Sequence, residues 1–270
     1  AFFVDQGDSV ISLESVTFSY DGITALHDVS LSVAKGEAVS LMGVSGCGKS
    51  TLLRMINGIV LPSSGSYRFD GEEITRKKMD DRLFAKAFHK RIGFVFQNAE
   101  VQLFCATVFD EVAFGPRQMA LSEGDVAERV GDSLSLLEID HLAGRQPFHL
   151  SGGEKRKVAI ASVLALNPEV LTLDEPLTGL DPRTQRWFVD LIVRLNRSGK
   201  TVITSSHNLD LAQELSSRTI LFGPSHEIAA DAETVRVLEN SDLLKSVGLV
   251  DESYHKHEGL SHSHFHSHPL

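Results

Sequence analysis

The sequence predicts an α/β fold built on an open parallel sheet. Three observations predict it. A β-alternating stretch, GEAVSLMG (36–43), runs straight into a Gly-rich loop that opens a helix at Lys49. Later short apolar runs, VLTLDE (170–175) and TVITSSH (201–207), each end in polar residues, as strands do when their carboxyl ends carry a site. Helical-period segments separate these runs. A hydrophobic content of 42% over 270 residues is enough for a substantial core, in one large domain or two small ones.

In chain order, VISLESVTFSY (10–20), LHDVSLSV (26–33) and GEAVSLMG alternate with period two and read as strands. IGFVFQ (92–97) reads as a buried strand. The stretch 98–150 reads as helical, with apolar residues at helical spacing in DVAERVGDSLSLLEI (125–139). RTILFG (218–223) reads as the last strand of the core. DAETVRVLEN and SDLLKSVGL read as short helices. The final sixteen residues, HKHEGLSHSHFHSHPL, hold six of the twelve histidines and no apolar pattern with which to build a core.

The formal charge of −10 argues against a nucleic-acid partner, which would need a basic face. Cys47 and Cys105 have no paired spacing, which points to a reducing compartment. AFFVDQGDSV lacks the basic stretch of a signal peptide. VAIASVLALNPEVLTL (158–173) is broken by Asn167-Pro168 and falls short of the roughly 20 apolar residues that span a bilayer. A soluble, cytoplasmic chain is expected, with any membrane path made by other chains.

GVSGCGKST (43–51) matches G-x-x-x-x-G-K-[ST] in full, the signature of a P-loop NTPase. Gly43, Gly46 and Gly48 let the backbone curl so that the N–H groups of Ser45, Cys47 and their neighbours through Thr51 point at phosphate oxygens. The following helix presents its positive end to the same anion. Lys49 reaches the terminal phosphates, and Ser50 ligates Mg²⁺. Cys47 reads either as a small filler or as a thiol near a positive helix end, where thiolate is favoured.

VLTLDEP (170–176) is a hydrophobic strand ending in two carboxylates. Asp174 would hold Mg²⁺, directly or through water, and Glu175 would polarise the attacking water. LSGGEKRKVAI (150–160) opens a helix with Ser151, Gly152 and Gly153, a second anion-binding device. One nucleotide does not need two such loops from one chain. The simplest resolution is that this loop serves the γ-phosphate of a neighbouring subunit.

Together these stretches resemble the ATP-binding-cassette ATPases over about residues 8–250. The resemblance implies that Tyr20 stacks on adenine, that Gln97 senses Mg²⁺ and the γ-phosphate, that LSGGE is the family signature, that GLDP (179–182) is the D-loop and that His207 contacts the γ-phosphate. It implies a RecA-like core with an antiparallel β part near the N-terminus and an inserted helical subdomain. The division is then 1–96 (first part of the core, with the Walker A loop), 97–151 (helical subdomain with Q-loop and signature loop), 152–224 (second part, with Walker B, D-loop and His207), 225–252 (short helices) and 253–270 (flexible His-rich tail). Thr172 is a polar residue inside the Walker B strand, and Glu154 stands where many members have Gln.

QNAEVQLFCATVFDEVAFGPRQMAL (97–121) is similar to the ATPase subunits of energy-coupling-factor importers. That resemblance implies a dimer, by default of two identical chains, gripping a transmembrane coupling subunit at the cytoplasmic face of the inner membrane, with a substrate-binding membrane subunit beside it. Glu100, Asp110 and Glu111 are candidate acidic partners for an arginine of the coupling subunit.

The tail admits three readings: a purification tag, a solvated linker, or a metal-handling segment. His262, His264, His266 and His268 alternate, so in an extended chain they lie on one side about 6.5–7 Å apart. With His255 and His257 they suit Ni²⁺, Co²⁺, Cu²⁺ or Zn²⁺, and imidazoles by themselves do not choose among these. A His-rich end on such an ATPase resembles the nickel/cobalt importers. The expectation is an ATPase that uses ATP and Mg²⁺ to drive nickel or cobalt uptake, with Ni²⁺ or Co²⁺ on the tail. The rivals are a vitamin importer, a metal exporter, a soluble cassette ATPase acting on DNA or ribosomes, and a metal store.

Overall fold

Alternation in the first third of the chain is realised as a long antiparallel pair. In the computed structural model, which describes residues 9–250 and the backbone of two short strands beyond them, Ser9–Tyr20 (β1) pairs with Ile23–Ala34 (β2) across the Asp21-Gly22 turn. Ala38–Met42 (β3) leads through the Gly-rich loop into Lys49–Ile56 (α1). Ser64–Phe69 (β4) and the two-residue strand Glu72–Glu73 (β5) complete a four-stranded sheet, β2-β1-β4-β5. Arg76–Met79 (α2) and Arg82–Arg91 (α3) lead to Ile92–Val95 (β6).

The region read as helical holds Val108–Gln118 (α4), capped by Thr107, and Glu123–Leu136 (α5), capped by Ser122. Gly152–Leu164 (α6) follows, then Val170–Leu173 (β7), Pro182–Arg197 (α7), Thr201–Ser206 (β8), Leu209–Leu215 (α8) and Arg218–Phe222 (β9). Here the structure departs from the sequence reading. Ile228–Glu233 (β10) is a strand, antiparallel to β9, where DAE was expected to begin a helix. Its small residues make a weak local signal, and the free edge of β9 supplies the pairing. Only Thr234–Glu239 (α9) and Ser241–Ser246 (α10) are helical there.

The main sheet runs β10-β9-β3-β8-β7-β6, parallel except for β10. One face packs against the antiparallel sheet and α1, burying Ile11, Leu13, Leu52, Leu53 and Tyr67. The other packs against α4 to α7 through Val112, Val130, Ile160, Phe188 and Ile192. Two buried polar contacts tie these layers. Tyr67 donates its hydroxyl to the Ile56 carbonyl at 2.6 Å, closing the end of α1. Thr172, the polar residue in β7, donates to the Gly93 carbonyl at 2.9 Å and accepts from Asn57 Nδ2 at 2.7 Å. Asn57 Nδ2 also donates to the Leu53 carbonyl at 2.7 Å, so Thr172→Val is expected to leave one of its two N–H groups unsatisfied and cost about 1–3 kcal/mol, measurable by urea unfolding.

Beyond Val250 the backbone of His255–His257 (β11) pairs antiparallel with Leu260–His262 (β12), His255 opposite His262. His264, His266 and His268 lie outside the described residues. Among those described, no helix is long and apolar enough to cross a membrane.

Candidate functional site

Four neighbouring parallel strands deliver the site. β3 ends at the Gly-rich loop, β8 at His207, β7 at Asp174-Glu175, and β6 just before Gln97. Their carboxyl ends surround a cavity of about 480 Å³ lined by Ser45, Gly46, Gly48, Lys49, Ser50, Thr51, Gln97, Glu175 and His207. That is where ligands bind in open α/β sheets.

Two glycines of the loop are there because no side chain fits. A Cβ on Gly48 would stand 2.4 Å from the Ala25 carbonyl oxygen, and φ is +112°. A Cβ on Gly43 would stand 2.6 Å from Cys47 Sγ and 2.9 Å from the Phe222 carbonyl. No side chain caps α1, so the N–H groups of its first turn are open to an anion. Lys49 is 6% exposed, and its ammonium donates to the Gly43 and Val44 carbonyls at 2.7 and 2.9 Å, which holds it at the floor of the loop. An uncapped helix start, curled amides and one cation suit a polyphosphate. Ser50, Asp174 and Gln97 offer oxygen donors of the kind Mg²⁺ takes, and the ion would neutralise phosphate charge there. Cys47 lies beneath the loop, 2% exposed, in the core cluster with Leu41 and Leu52. This favours the small-filler reading of Cys47 over a redox switch, since a buried thiol is inaccessible to oxidants.

The carboxylates are held tightly. Asp174 is 4% exposed and accepts from Ser205 Oγ at 2.7 Å, while that same oxygen accepts from the Glu175 amide at 2.9 Å. Glu175 adopts φ +47°, a left-handed conformation rare for a residue with a long side chain. Its Oε2 accepts from Thr178 Oγ1 at 2.9 Å and lies 2.8 Å from His207 Nδ1. A carboxylate held at the cavity wall against a histidine can take a proton from water that attacks a phosphoryl group. Ser205 and Thr178 escaped the sequence reading, because nothing in TVITSSH or EPLTG marks one hydroxyl over its neighbours.

Asp174 does not line the cavity, and neither do two other expected groups. Tyr20 does not line the cavity. It is 38% exposed at the end of β1, edge-on to Phe18. Ser151, Gly152 and Gly153 also do not line it. Ser151 caps α6 in a capping box: its Oγ accepts from the Glu154 amide and donates to Glu154 Oε2, which also accepts from the Ser151 amide. These bonds hold the Glu154 carboxyl below its ordinary range and explain an acid at that position. The C-terminal segment contributes Gly248 and Leu249 to the cavity wall, which sequence spacing did not reveal.

Of the three acids considered for docking, Glu111 is used inside the chain. It is 3% exposed and accepts from the Phe104 and Cys105 amides at 2.8 and 2.7 Å. Burial, with Glu111 beside it, pushes the Cys105 thiol up to about 11. Asp110 pairs with Arg117 and Glu100 with Lys155, both on the surface.

The family model described as ABC transporter matches residues 26–178. The chain belongs to the ABC transporter family. It is an ATPase of the P-loop cassette type. A nickel import ATP-binding protein of Lactiplantibacillus plantarum, LarO, is 48% identical over 222 residues, covering 82% of this chain and 92% of that one. The energy-coupling factor transporter ATP-binding protein EcfA of Methanothermobacter thermautotrophicus is 39% identical over 241 residues, covering 89% of this chain and 76% of its own length. Among solved structures, cbiO1 from Clostridium perfringens, described as part of the ABC transporter complex cbiONQ, superposes with a TM-score of 0.77 at 33% identity, covering 90% of this chain and 95% of that one.

Proposed function

We propose that this cassette ATPase is the energy-coupling subunit of an importer for nickel or cobalt ions, working as two copies that sandwich two ATP. The observation that carries the two-copy arrangement is the incomplete cavity: it holds the P-loop, Gln97, Glu175 and His207, while the chain's own Ser151–Gly153 loop does not line it. In the sandwich each site takes Lys49, Ser50, Asp174 and Glu175 from one copy and Ser151–Gly153 from the other. Tyr20 stacks on the adenine.

A groove beside the Q-loop supports a membrane partner. It is lined by Phe94, Phe104, Phe114, Met119 and Leu166, with Phe104 67% and Phe114 43% exposed. Exposed aromatic groups around an apolar groove suit a helix of the transmembrane coupling subunit. Asp110 and Glu100 at the surface are the acids left to meet its arginine. ATP closes the two copies, hydrolysis opens them, and the motion passes through Gln97 to that helix at the cytoplasmic face of the membrane.

Nickel or cobalt as cargo is supported by the import protein of L. plantarum and by the tail, whose His255, His257, His262, His264, His266 and His268 supply imidazole ligands. The test is uptake of radiolabelled Ni²⁺ and Co²⁺ by cells carrying this chain with its membrane partners. Uptake that vanishes with Glu175→Gln is expected, and the preferred isotope identifies the cargo. Background uptake in both strains, with the complex assembled, excludes the metal cargo. Ni²⁺ bound to the purified full chain is expected to fall off below about pH 6.5, because protonated imidazole does not ligate. Equilibrium dialysis at pH 7.5 and 5.5 against a chain ending at Val250 checks it.

A further inference from the structure

Arg156 sits in the first turns of α6, two positions beyond the capping-box Glu154. It is 8% exposed, and burial alone moves its pKa, downward, with no neighbouring charge contributing. Its Nη1 donates to the Glu175 carbonyl at 3.2 Å and its Nη2 reaches the Thr178 carbonyl at 3.5 Å, while its Nε is buried without a partner. A guanidinium buried without a carboxylate is unfavourable, and replacement by an apolar side chain of similar size would relieve it. What it holds is specific. Glu175 and Thr178 bound one turn, closed by the Thr178 amide donating to the Glu175 carbonyl at 3.2 Å. Within that turn Glu175 keeps its φ of +47°. A strained backbone persists only where its surroundings over-determine it. Ser205 fixes the amide side of Glu175 and Arg156 its carbonyl side. Thr178 also leads into Gly179–Pro182, the D-loop.

We propose that Arg156 is a positioning residue that ties the left-handed backbone of Glu175 to the signature helix, so that the hydrolytic carboxylate of one nucleotide site moves with the loop that serves the other. The coupling rests on the two-copy reading given above, whereas the hold on Glu175 lies within one chain. ATP of one site pulls on Ser151–Gly153, α6 shifts as a rigid unit, and Arg156 carries the shift to Glu175 of the second site. A displacement of about 1 Å at a reacting group changes a rate by about a hundredfold.

The test compares the full-length wild type with Arg156→Gln and Arg156→Lys in steady-state ATP hydrolysis. ATP-driven dimerisation is followed by gel filtration in the Glu175→Gln background, with and without Arg156→Gln. Arg156→Gln is expected to lower kcat by about ten- to a hundredfold with KM for ATP within about twofold, and to bring the Hill coefficient for ATP toward one. ATP-driven dimerisation is expected to persist. Arg156→Lys, which keeps a cation able to donate to a carbonyl, recovers part of kcat and carries the comparison if the Gln variant does not fold. A kcat within about twofold of wild type overturns the positioning role, as does a raised KM with unchanged kcat. A wild-type Hill coefficient of one, or one that survives Arg156→Gln, overturns the coupling. If the Glu175→Gln protein does not dimerise with ATP while Arg156→Gln still lowers kcat, the two-copy reading falls and the hold on Glu175 stands.

Discussion

Glu175→Gln is expected to lower ATP turnover by a factor of about 10²–10⁴, the usual worth of a general base, while nucleotide binding persists. The amide is isosteric with the carboxylate. It can keep the contacts to Thr178 Oγ1 and His207 Nδ1 that hold the side chain at the cavity wall. What it loses is the capacity to accept a proton from water. The loss therefore falls on kcat and leaves KM nearly unchanged. Phosphate release under saturating ATP measures the first, and binding of a fluorescent ATP analogue measures the second. Retention of a tenth or more of the wild-type rate would place the base elsewhere, with His207 the next group to test. The same variant separates the levels of the proposal: turnover tests the chemistry, ATP-driven dimerisation tests the proposed sandwich, and metal uptake tests the proposed cargo.

The largest effect on stability is expected at Arg218, on β9. Its side chain is 6% exposed and bridges three elements. Nε and Nη2 form a bidentate pair with Asp231 of β10, both at 2.6 Å, and Nη1 donates to Glu37 at 3.0 Å and to the Ser32 carbonyl at 2.9 Å. Burial pulls the guanidinium pKa down, and the hydrogen bonds to Asp231 and Glu37 outweigh it, so the net movement is upward. Arg218→Leu removes the cation and leaves two carboxylates, 14% and 19% exposed, without their shared partner. Breaking a buried pair from one side costs about 3–5 kcal/mol. For a domain of this size that lowers Tm by about 6–20 °C at 2–4 °C per kcal/mol. Calorimetry of Arg218→Leu beside a triple variant that also carries Asp231→Leu and Glu37→Gln decides whether the loss arises from the stranded acids. Recovery in the triple variant is expected. A triple variant as unstable as the single one would assign the loss to packing of the arginine stem.

Acidity enters at a different place from stability. The capping box at Ser151 keeps Glu154 ionised well below its ordinary range, so its contribution to α6 is present above the unfolded carboxylate pKa and is lost only as pH falls through the lowered folded value. At neutral pH the signature loop therefore keeps its cap.

The site was legible in the sequence where chemistry imposes a local pattern. The loop from Gly43 to Thr51 must be glycine-rich because backbone has to approach phosphate, and contacts such as Gly48 against Ala25 forbid a side chain. Asp174, Glu175 and His207 were legible because strands of a parallel sheet end in the residues they present. The long apolar runs gave the core strands for the same reason, since a strand buried on both faces reads as continuous hydrophobicity. Strand β10 escaped because Ile228–Glu233 carries small and acidic residues with little β propensity, and its pairing is supplied by β9.

What only the tertiary structure decided are the partnerships between residues far apart in the chain. Asn57 answers Thr172 from 115 positions away, Ser205 answers Asp174 from 31, and Arg156 answers the Glu175 carbonyl from 19. No periodicity encodes such pairs, because each depends on the order β3-β8-β7-β6 and on how α6 lies across it. The sequence by itself marked the candidate groups, since a phosphate-binding loop and strand-end carboxylates have residue types and local spacing that can be read along the chain. The packing of the sheet and its helices decided which otherwise ordinary hydroxyl, amide and guanidinium hold those groups in place, because a buried polar group takes its partner from whatever the fold brings within 3 Å of it.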